Sequence, residues 1–324
     1  MNDQSLLTVP LSAMRYDLTI PLLDGRVKVD GVSFKTAKTS SMVSRDMPEL
    51  REGNFGLWDL NLGYWLSAID AGWELVALPV FPKRKPMLQL IFCRRDAGIK
   101  SPKDLVGKRV GTRQYRTAVT LWVNGLLQDY YGVAKGGIHW VTQVRHVFPP
   151  ASPDKDVECI GEKGSIVDLL LAGEIDALVT DISDVGLFEK LENAPNVVRL
   201  FPDYETEDLA FYHKTGIYTP VHLIVMSRCL DRDNPGLAMK LYQAFESAKD
   251  ISYQDIASDR AGFSVVYLRE RFKEQQAAWG DLNAYGVSAN RATIDAFLRY
   301  NYEQGATRSI LPYERIFASG TLET

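Results

Sequence analysis

Five short stretches hold the residue types that do chemistry on a small anion. The most informative is Arg113-Gln114-Tyr115-Arg116-Thr117, set between a strand pattern and a helix pattern. Guanidinium forks pair bidentately with carboxylates, and the positive end of the following helix adds to that attraction. Thr117 is placed to cap that helix. A solvated basic turn would also carry two arginines, but it would not need the ring of Tyr115 or the amide of Gln114. The loop after the first strand supplies Ser12, Met14, Arg15 and Tyr16. Two further strand-to-helix loops are Asn61-Leu62-Gly63-Tyr64 and Thr180-Asp181-Ile182-Ser183. In α/β folds, ligands meet loops of this kind at the C-terminal ends of strands. Lys83-Arg84-Lys85, between two strands, reads equally as an anion contact or an exposed charged turn.

The four histidines are His139, His146, His213 and His222. His139, beside Trp140 in a strand pattern, reads as buried and hydrogen-bonded, and His146 reads as loop. His213 and His222 flank TGIYTP at a spacing that is not that of metal ligands, so no metal is expected. His222 follows Thr219-Pro220-Val221 inside the apolar run VHLIVMS. A core histidine fits that position, and so does a proton donor facing a cleft, since an imidazole exchanges protons close to neutral pH.

The elements that must position these residues alternate between apolar strand runs and helical stretches. Strand patterns cover 6–11, 27–37, 57–62, 74–81, 88–95, 108–112, 138–143, 196–202 and 221–227. Helix patterns cover 42–50, 64–72, 101–107 and 117–133. Residues 165–181 read as a helix, a turn and a buried strand. In SPKDLVG, Ser101 is an N-cap and Pro102 the first helical residue. In GEKGS, Ser165 caps the following helix more readily than the glycines cradle a phosphate. After residue 233 three helical runs follow with no strand between them. This alternation predicts a mainly parallel α/β fold with a helical tail.

The chain has 324 residues, enough for two domains or two lobes of one unit. Hydrophobic residues make up 46% and charged residues 24%, which excludes disordered and collagen-like classes. A net charge of −4 argues against a dedicated nucleic-acid binder. Cys93, Cys159 and Cys229 stand far apart with no CxxC pair, which predicts reduced thiols and a cytoplasmic setting. The first residues lack a basic region, a continuous apolar core and a small-residue cleavage site, so no secretory leader is expected. No apolar run approaches the length of a membrane span. GxxxxGK[ST], GxGxxG after a strand, HExxH and GxSxG are all absent.

Taken in order, several segments resemble the 4,5-dihydroxyphthalate decarboxylase family. They include PLLDGRVKVDGVSF (21–34), RRDAGIKSPKDLVGKRVGT (94–112), LLLAGEIDALVT (169–180) and VVRLFPDY (197–204). TGIYTPVH (215–222) and YGVSANRATIDAFLRYNYEQG (285–305) complete the set. SPKDLVGKRVG and LAGEIDAL are shared by many solute-binding proteins, whereas LFPDY, TGIYTPVH and FLRYNYEQG are far more specific. The chain departs from the family pattern where Tyr-Asp-Arg becomes Tyr16-Asp17-Leu18 and Phe-Arg-His becomes Pro86-Met87-Leu88. It departs again where a helix arginine becomes Asn124 and a Gly-Gly becomes Gln143-Val144. Several cations of the pattern are thus replaced, while Arg113 and Arg116 are additional, which implies fewer or differently placed carboxylates on the ligand.

The resemblance implies a two-lobed α/β fold like that of type II periplasmic binding proteins, with two crossover strands. Lobe one would hold 1–93 plus 222–324 and lobe two 94–221, with the ligand in the cleft between them. It implies cofactor-independent decarboxylation of a hydroxylated aromatic carboxylate. His222 would be the acid–base residue, with Asp59 and His213 as alternatives. Arg113, Arg116 and Arg84 would hold carboxylates, and Tyr115, Thr117, Asn61, Arg15 and Asp181 would complete the binding set. The implied partner is a small aromatic carboxylate, with no nucleic acid and no membrane, and homo-oligomerisation stays open. Two alternatives are a non-catalytic cytoplasmic ligand-binding protein and a different enzyme acting on a related ring.

Overall fold

Apolar runs bounded by glycine, proline and polar residues become the strands of two separate sheets. The computed structural model describes residues 6–13, 15–36, 48–134, 136–151, 157–161, 164–180, 185–258 and 263–324. In chain order the strands begin with β1 (Leu7–Ser12), β2 (Val32–Thr36), β3 (Leu57–Asn61), β4 (Leu75–Ala77) and β5 (Lys83–Arg84). There follow β6 (Ile91–Arg94), β7 (Arg109–Gln114), β8 (His139–Val144), β9 (Val157–Cys159), β10 (Ala177–Val179), β11 (Val197–Arg199) and β12 (Pro220–Ser227). The helices begin with α1 (Ile20–Leu23), α2 (Pro48–Glu52), α3 (Leu62–Asp70), α4 (Ala118–Tyr131), α5 (Ile166–Ala172) and α6 (Val185–Glu192). They continue with α7 (Tyr204–Thr215), α8 (Arg228–Asp233), α9 (Leu237–Ser258), α10 (Leu268–Trp279), α11 (Arg291–Glu303) and α12 (Tyr313–Ile316).

The first unit comprises Met1–Arg84, Pro220–Ile294 and Leu311–Thr324. Its sheet runs in the order β2-β1-β3-β12-β4, with β5 also on β12. β1 pairs parallel with β2 and β3, whereas β12 runs antiparallel to β3, β4 and β5. Val9, Leu11, Leu57, Ile224 and Met226 of this sheet pack with Leu237, Leu241 and Phe245 of α9. Phe245 is fully buried there, and truncating such a side chain costs about 3–5 kcal/mol.

The second unit comprises Lys85–Thr219 and Asp295–Ile310. Its sheet runs β11-β6-β10-β7-β8-β9. β10, β7, β8 and β9 run parallel, and β6 lies antiparallel to β10 and β11. Phe92, Val141 and Leu178 of the sheet pack against Ile166 and Leu170 of α5 and Leu191.

Several sequence expectations need revision. The sheets are mixed rather than mainly parallel, because β12 and β6 run against their neighbours. Residues 85–93 belong to the second unit and not to the first, since β6 takes all its ladder bonds from β10 and β11. Residues 295–310 also join the second unit: Phe297 and Tyr300 pack on Trp122 of α4. The helical tail is therefore divided between the units. The strand expected over 74–81 stops at Ala77, ahead of Pro79 and Pro82, which have no N–H for a ladder. The 88–95 run opens as a 3₁₀ turn over Leu88–Leu90 and becomes a strand only at Ile91. The predicted helix over 42–50 appears from Pro48, and its earlier part lies outside the described residues.

Candidate active site

Asp59 and His222 meet because of strand register. β12 pairs with β3 so that His222 stands opposite Asn61 and Ile224 opposite Asp59. With a side-chain period of two, Asp59 and His222 fall on one face as diagonal neighbours. That face changes character along β3: Leu57, Ile224 and Met226 belong to the apolar core, and Asp59, Asn61 and His222 take over towards the strand's C-terminal end. His222 Nδ1 lies 2.8 Å from Asp59 Oδ1. Both residues are buried, Asp59 to 1% exposure and His222 to 6%. A carboxylate removed from water this far must be paired and hydrogen-bonded, and here it is.

The second oxygen of Asp59 is held from another element. β1 lies parallel to β3, so the loop that leaves β1 passes the C-terminal end of β3. From that loop the Tyr16 hydroxyl donates to Asp59 Oδ2 at 2.9 Å and lies 3.3 Å from His222 Nδ1. The Tyr16 and His222 rings meet edge to face, with centroids 6.4 Å apart. Tyr16 is fixed by the residues after it: its N–H donates to Thr19 Oγ1 at 3.1 Å, while Thr19 N–H and Oγ1 donate to its carbonyl. Sequence analysis named Tyr16 with Arg15 in this loop but carried only Arg15 into the binding set. The signal was local: a hydroxyl residue three positions after the tyrosine, at the mouth of a helix.

The other predicted residues are placed as follows. Asn61 uses its side chain to accept from Gly63 N–H at 3.0 Å, as the N-cap of α3. Arg15 is exposed beside Tyr16. Arg84 sits on β5 opposite Pro220, donating to the Ala284 carbonyl at 2.9 Å and to Asn290 Oδ1 at 2.5 Å. Its guanidinium also lies over the Phe81 ring, so it braces β5 against the segment before α11. Lys83, its neighbour, is the register partner of His222.

Arg113 and Arg116 differ sharply although one is the penultimate residue of β7 and the other follows that strand by two residues. Arg113 is exposed, while Arg116 is 5% exposed, adopts a left-handed φ of 65° and donates to the Gly305 carbonyl at 3.4 Å. Tyr115 packs on Trp140 and receives Asn124 Nδ2 on its hydroxyl at 3.4 Å. Thr117 occupies the N-cap position of α4 but makes no capping bond; its hydroxyl donates to the Gln114 carbonyl at 3.3 Å. His213 is exposed in the last turn of α7, in the second unit, whereas Asp59 and His222 are in the first. Asp181 lies outside the described residues. His139 is exposed at the start of β8, not buried as expected, and the buried residue there is Trp140. Ser165 accepts from Val167 N–H at 3.3 Å, as the cap of α5. Among the described residues, no three His, Cys, Asp or Glu side chains are grouped to hold a metal ion. No helix among them is long and apolar enough to cross a membrane.

No family model matches the chain. Over 332 aligned residues, covering 99% of each chain, it is 26% identical to a 4,5-dihydroxyphthalate decarboxylase from Comamonas testosteroni. It is 28% identical over 183 residues to a protein of the same name from Pseudomonas putida, covering 53% of this chain and 70% of that one. In fold it is similar to the periplasmic aliphatic sulphonate binding protein SsuA from Escherichia coli, with a TM-score of 0.59 and 13% identity, covering 98% of this chain and 99% of that one. A putative periplasmic sulfonate-binding protein from Methylobacillus flagellatus gives a TM-score of 0.57 at 14% identity, covering 97% of this chain and 92% of that one. The chain is thus a divergent relative of the curated 4,5-dihydroxyphthalate decarboxylases, carried on the α/β fold of the type II periplasmic binding proteins.

Proposed function

We propose that the protein removes carbon dioxide from a hydroxylated aromatic carboxylate of the 4,5-dihydroxyphthalate kind, without a cofactor. The observation that carries this is the buried His222–Asp59 pair at 2.8 Å, in a chain aligned end to end with a decarboxylase. With Nδ1–H donated to Asp59, an imidazolium at this position keeps Nε2–H for the ligand, and the carboxylate stabilises its charge. A ring hydroxyl donates electron density to the ring. His222 then protonates the ring carbon that bears the carboxylate. The bond to that carboxylate breaks, its electron pair restores aromaticity, and carbon dioxide leaves. Water returns a proton to the imidazole, so one proton is consumed per turnover. Exposed Arg113, in the second unit, is a separate candidate for contacting a carboxylate. Cys93, Cys159 and Cys229 are all unpaired thiols, which supports a reducing, cytoplasmic setting.

The test is His222→Gln, assayed for carbon dioxide release and, separately, for ligand affinity by calorimetry. General acid–base catalysis is worth about 10²–10⁴-fold, and turnover should fall within that range while affinity changes by less than about tenfold. Turnover that survives in the folded variant refutes His222 as the acid. A wild-type protein that binds aromatic carboxylates tightly and never releases carbon dioxide refutes the enzyme and leaves a ligand-binding protein.

A further inference from the structure

We propose that Tyr16 is a positioning residue of this site, acting on His222 through Asp59; this rests on the decarboxylase function proposed above. A tyrosine hydroxyl has one proton to give. Here Asp59 Oδ2 lies at 2.9 Å and His222 Nδ1 at 3.3 Å. The shorter contact is to the carboxylate, and charge-assisted bonds of this type are the stronger ones. The Tyr16 proton therefore belongs to Asp59, and the proton on Nδ1 points at Asp59 Oδ1. Asp59 is clamped at both oxygens, from the loop after β1 and from β12, while its backbone is fixed in β3. A carboxylate so held at both oxygens is fixed in orientation, and by engaging Nδ1 it leaves Nε2 of the imidazole facing away from Asp59.

The clamp is itself rigid. Thr19 is 1% exposed and holds both the N–H and the carbonyl of Tyr16, which fixes the backbone from which the phenol reaches Asp59. The charged and titratable groups around His222 are Asp59 on β3, Tyr16 from the loop and Lys83, its register partner on β5; Arg15 and Asp17 flank Tyr16 in the chain. Of these, the Tyr16 hydroxyl spreads the negative charge of Asp59 through a 2.9 Å hydrogen bond without adding a net charge.

Tyr16→Phe keeps the ring and removes the donor. Asp59 then concentrates its charge on His222, so the imidazolium persists to higher pH. The ring-proton resonance of His222, identified by its loss in His222→Gln, should titrate about half a pH unit or more higher in Tyr16→Phe. The basic limb of the turnover–pH profile should move the same way, with kcat down about 3–10-fold and KM within about twofold. Thr19→Val, which loosens the clamp but keeps the hydroxyl, should move both in the same direction by less. An unchanged His222 titration in both variants overturns the role of Tyr16, whether or not the protein releases carbon dioxide. Absent carbon dioxide release with a shifted titration instead overturns the function and leaves the clamp in place.

Discussion

Replacing Asp208 by asparagine tests whether the second unit carries a buried acid that weakens it as pH rises. Asp208 is the buried residue of α7, at 6% exposure. Its carboxyl accepts a backbone hydrogen bond from Leu88, and its Oδ2 has no hydrogen-bond partner among the described residues. Burial pushes it up from an ordinary 3.8 to about 7, with the neighbouring Glu207 adding a smaller push. The unfolded chain ionises this group near its ordinary value, and the folded chain resists until about pH 7. Between those values the unfolded state holds fewer protons, so stability falls with rising pH by about 1.4 kcal/mol per unit. Between about pH 5.5 and 8.5 the folded group ionises part-way through, so only about 1.5 units of that slope count, or about 2 kcal/mol. Asparagine has no such dependence. Urea unfolding of both proteins across this range should show the variant gaining about 2 kcal/mol relative to the wild type by the upper end. Any fixed cost of fitting the amide cancels in that comparison. A difference between the two proteins that is flat with pH refutes the buried ionisation, and one that moves against the variant refutes its sign.

Two other substitutions separate residues that look alike in the sequence. Arg113→Ala should weaken binding of an aromatic carboxylate by about 1.5–3 kcal/mol in calorimetry and leave the unfolding midpoint nearly unmoved, because the side chain is exposed. Arg116→Ala should instead lower stability by about 1–3 kcal/mol in urea, since it removes a buried stem and the contact to Gly305. Gly125→Ala should cost about 1–2 kcal/mol in the same assay despite the better helix propensity of alanine. Its Cβ would stand 2.3 Å from the Tyr300 ring, which cannot retreat because its hydroxyl is tied to Asp129 at 2.7 Å and its edge rests on Trp122.

Local patterning made most of the elements legible. VHLIVMS, LWDLN and RVGT are apolar runs with turn residues at their ends, and each became a strand within a residue or two. The long amphipathic run from Ala118 gave α4, ended by left-handed Gly132 as its C-cap. α7 was missed because YETEDLAFYHKT has little apolar periodicity and buries only Asp208. β9 and β5 were missed because two or three residues carry no period at all. Strand direction was equally hidden. A return strand that pairs antiparallel has the same composition as one that pairs parallel, so nothing in PVHLIVMS announced the orientation of β12.

The same limit explains what could be read of the site. His222 and Asp59 were each visible as polar residues in apolar strands, where an unpaired charge is costly, so each had to have a partner. Which partner could not be known, because they are 163 residues apart and only the register of β3 against β12 joins them. A shift of one residue would send His222 to the opposite face of the sheet from Asp59. Arg113 and Arg116 show the opposite failure. Their spacing suggested one anion-binding pair, but three residues across a strand-to-helix turn sent one to solvent and buried the other in a left-handed conformation. Tyr16, Asp59 and His222 thus meet where the parallel β1–β3 edge and the antiparallel β12 end together, since that junction brings a loop tyrosine, a strand carboxylate and a returning histidine within hydrogen-bond reach.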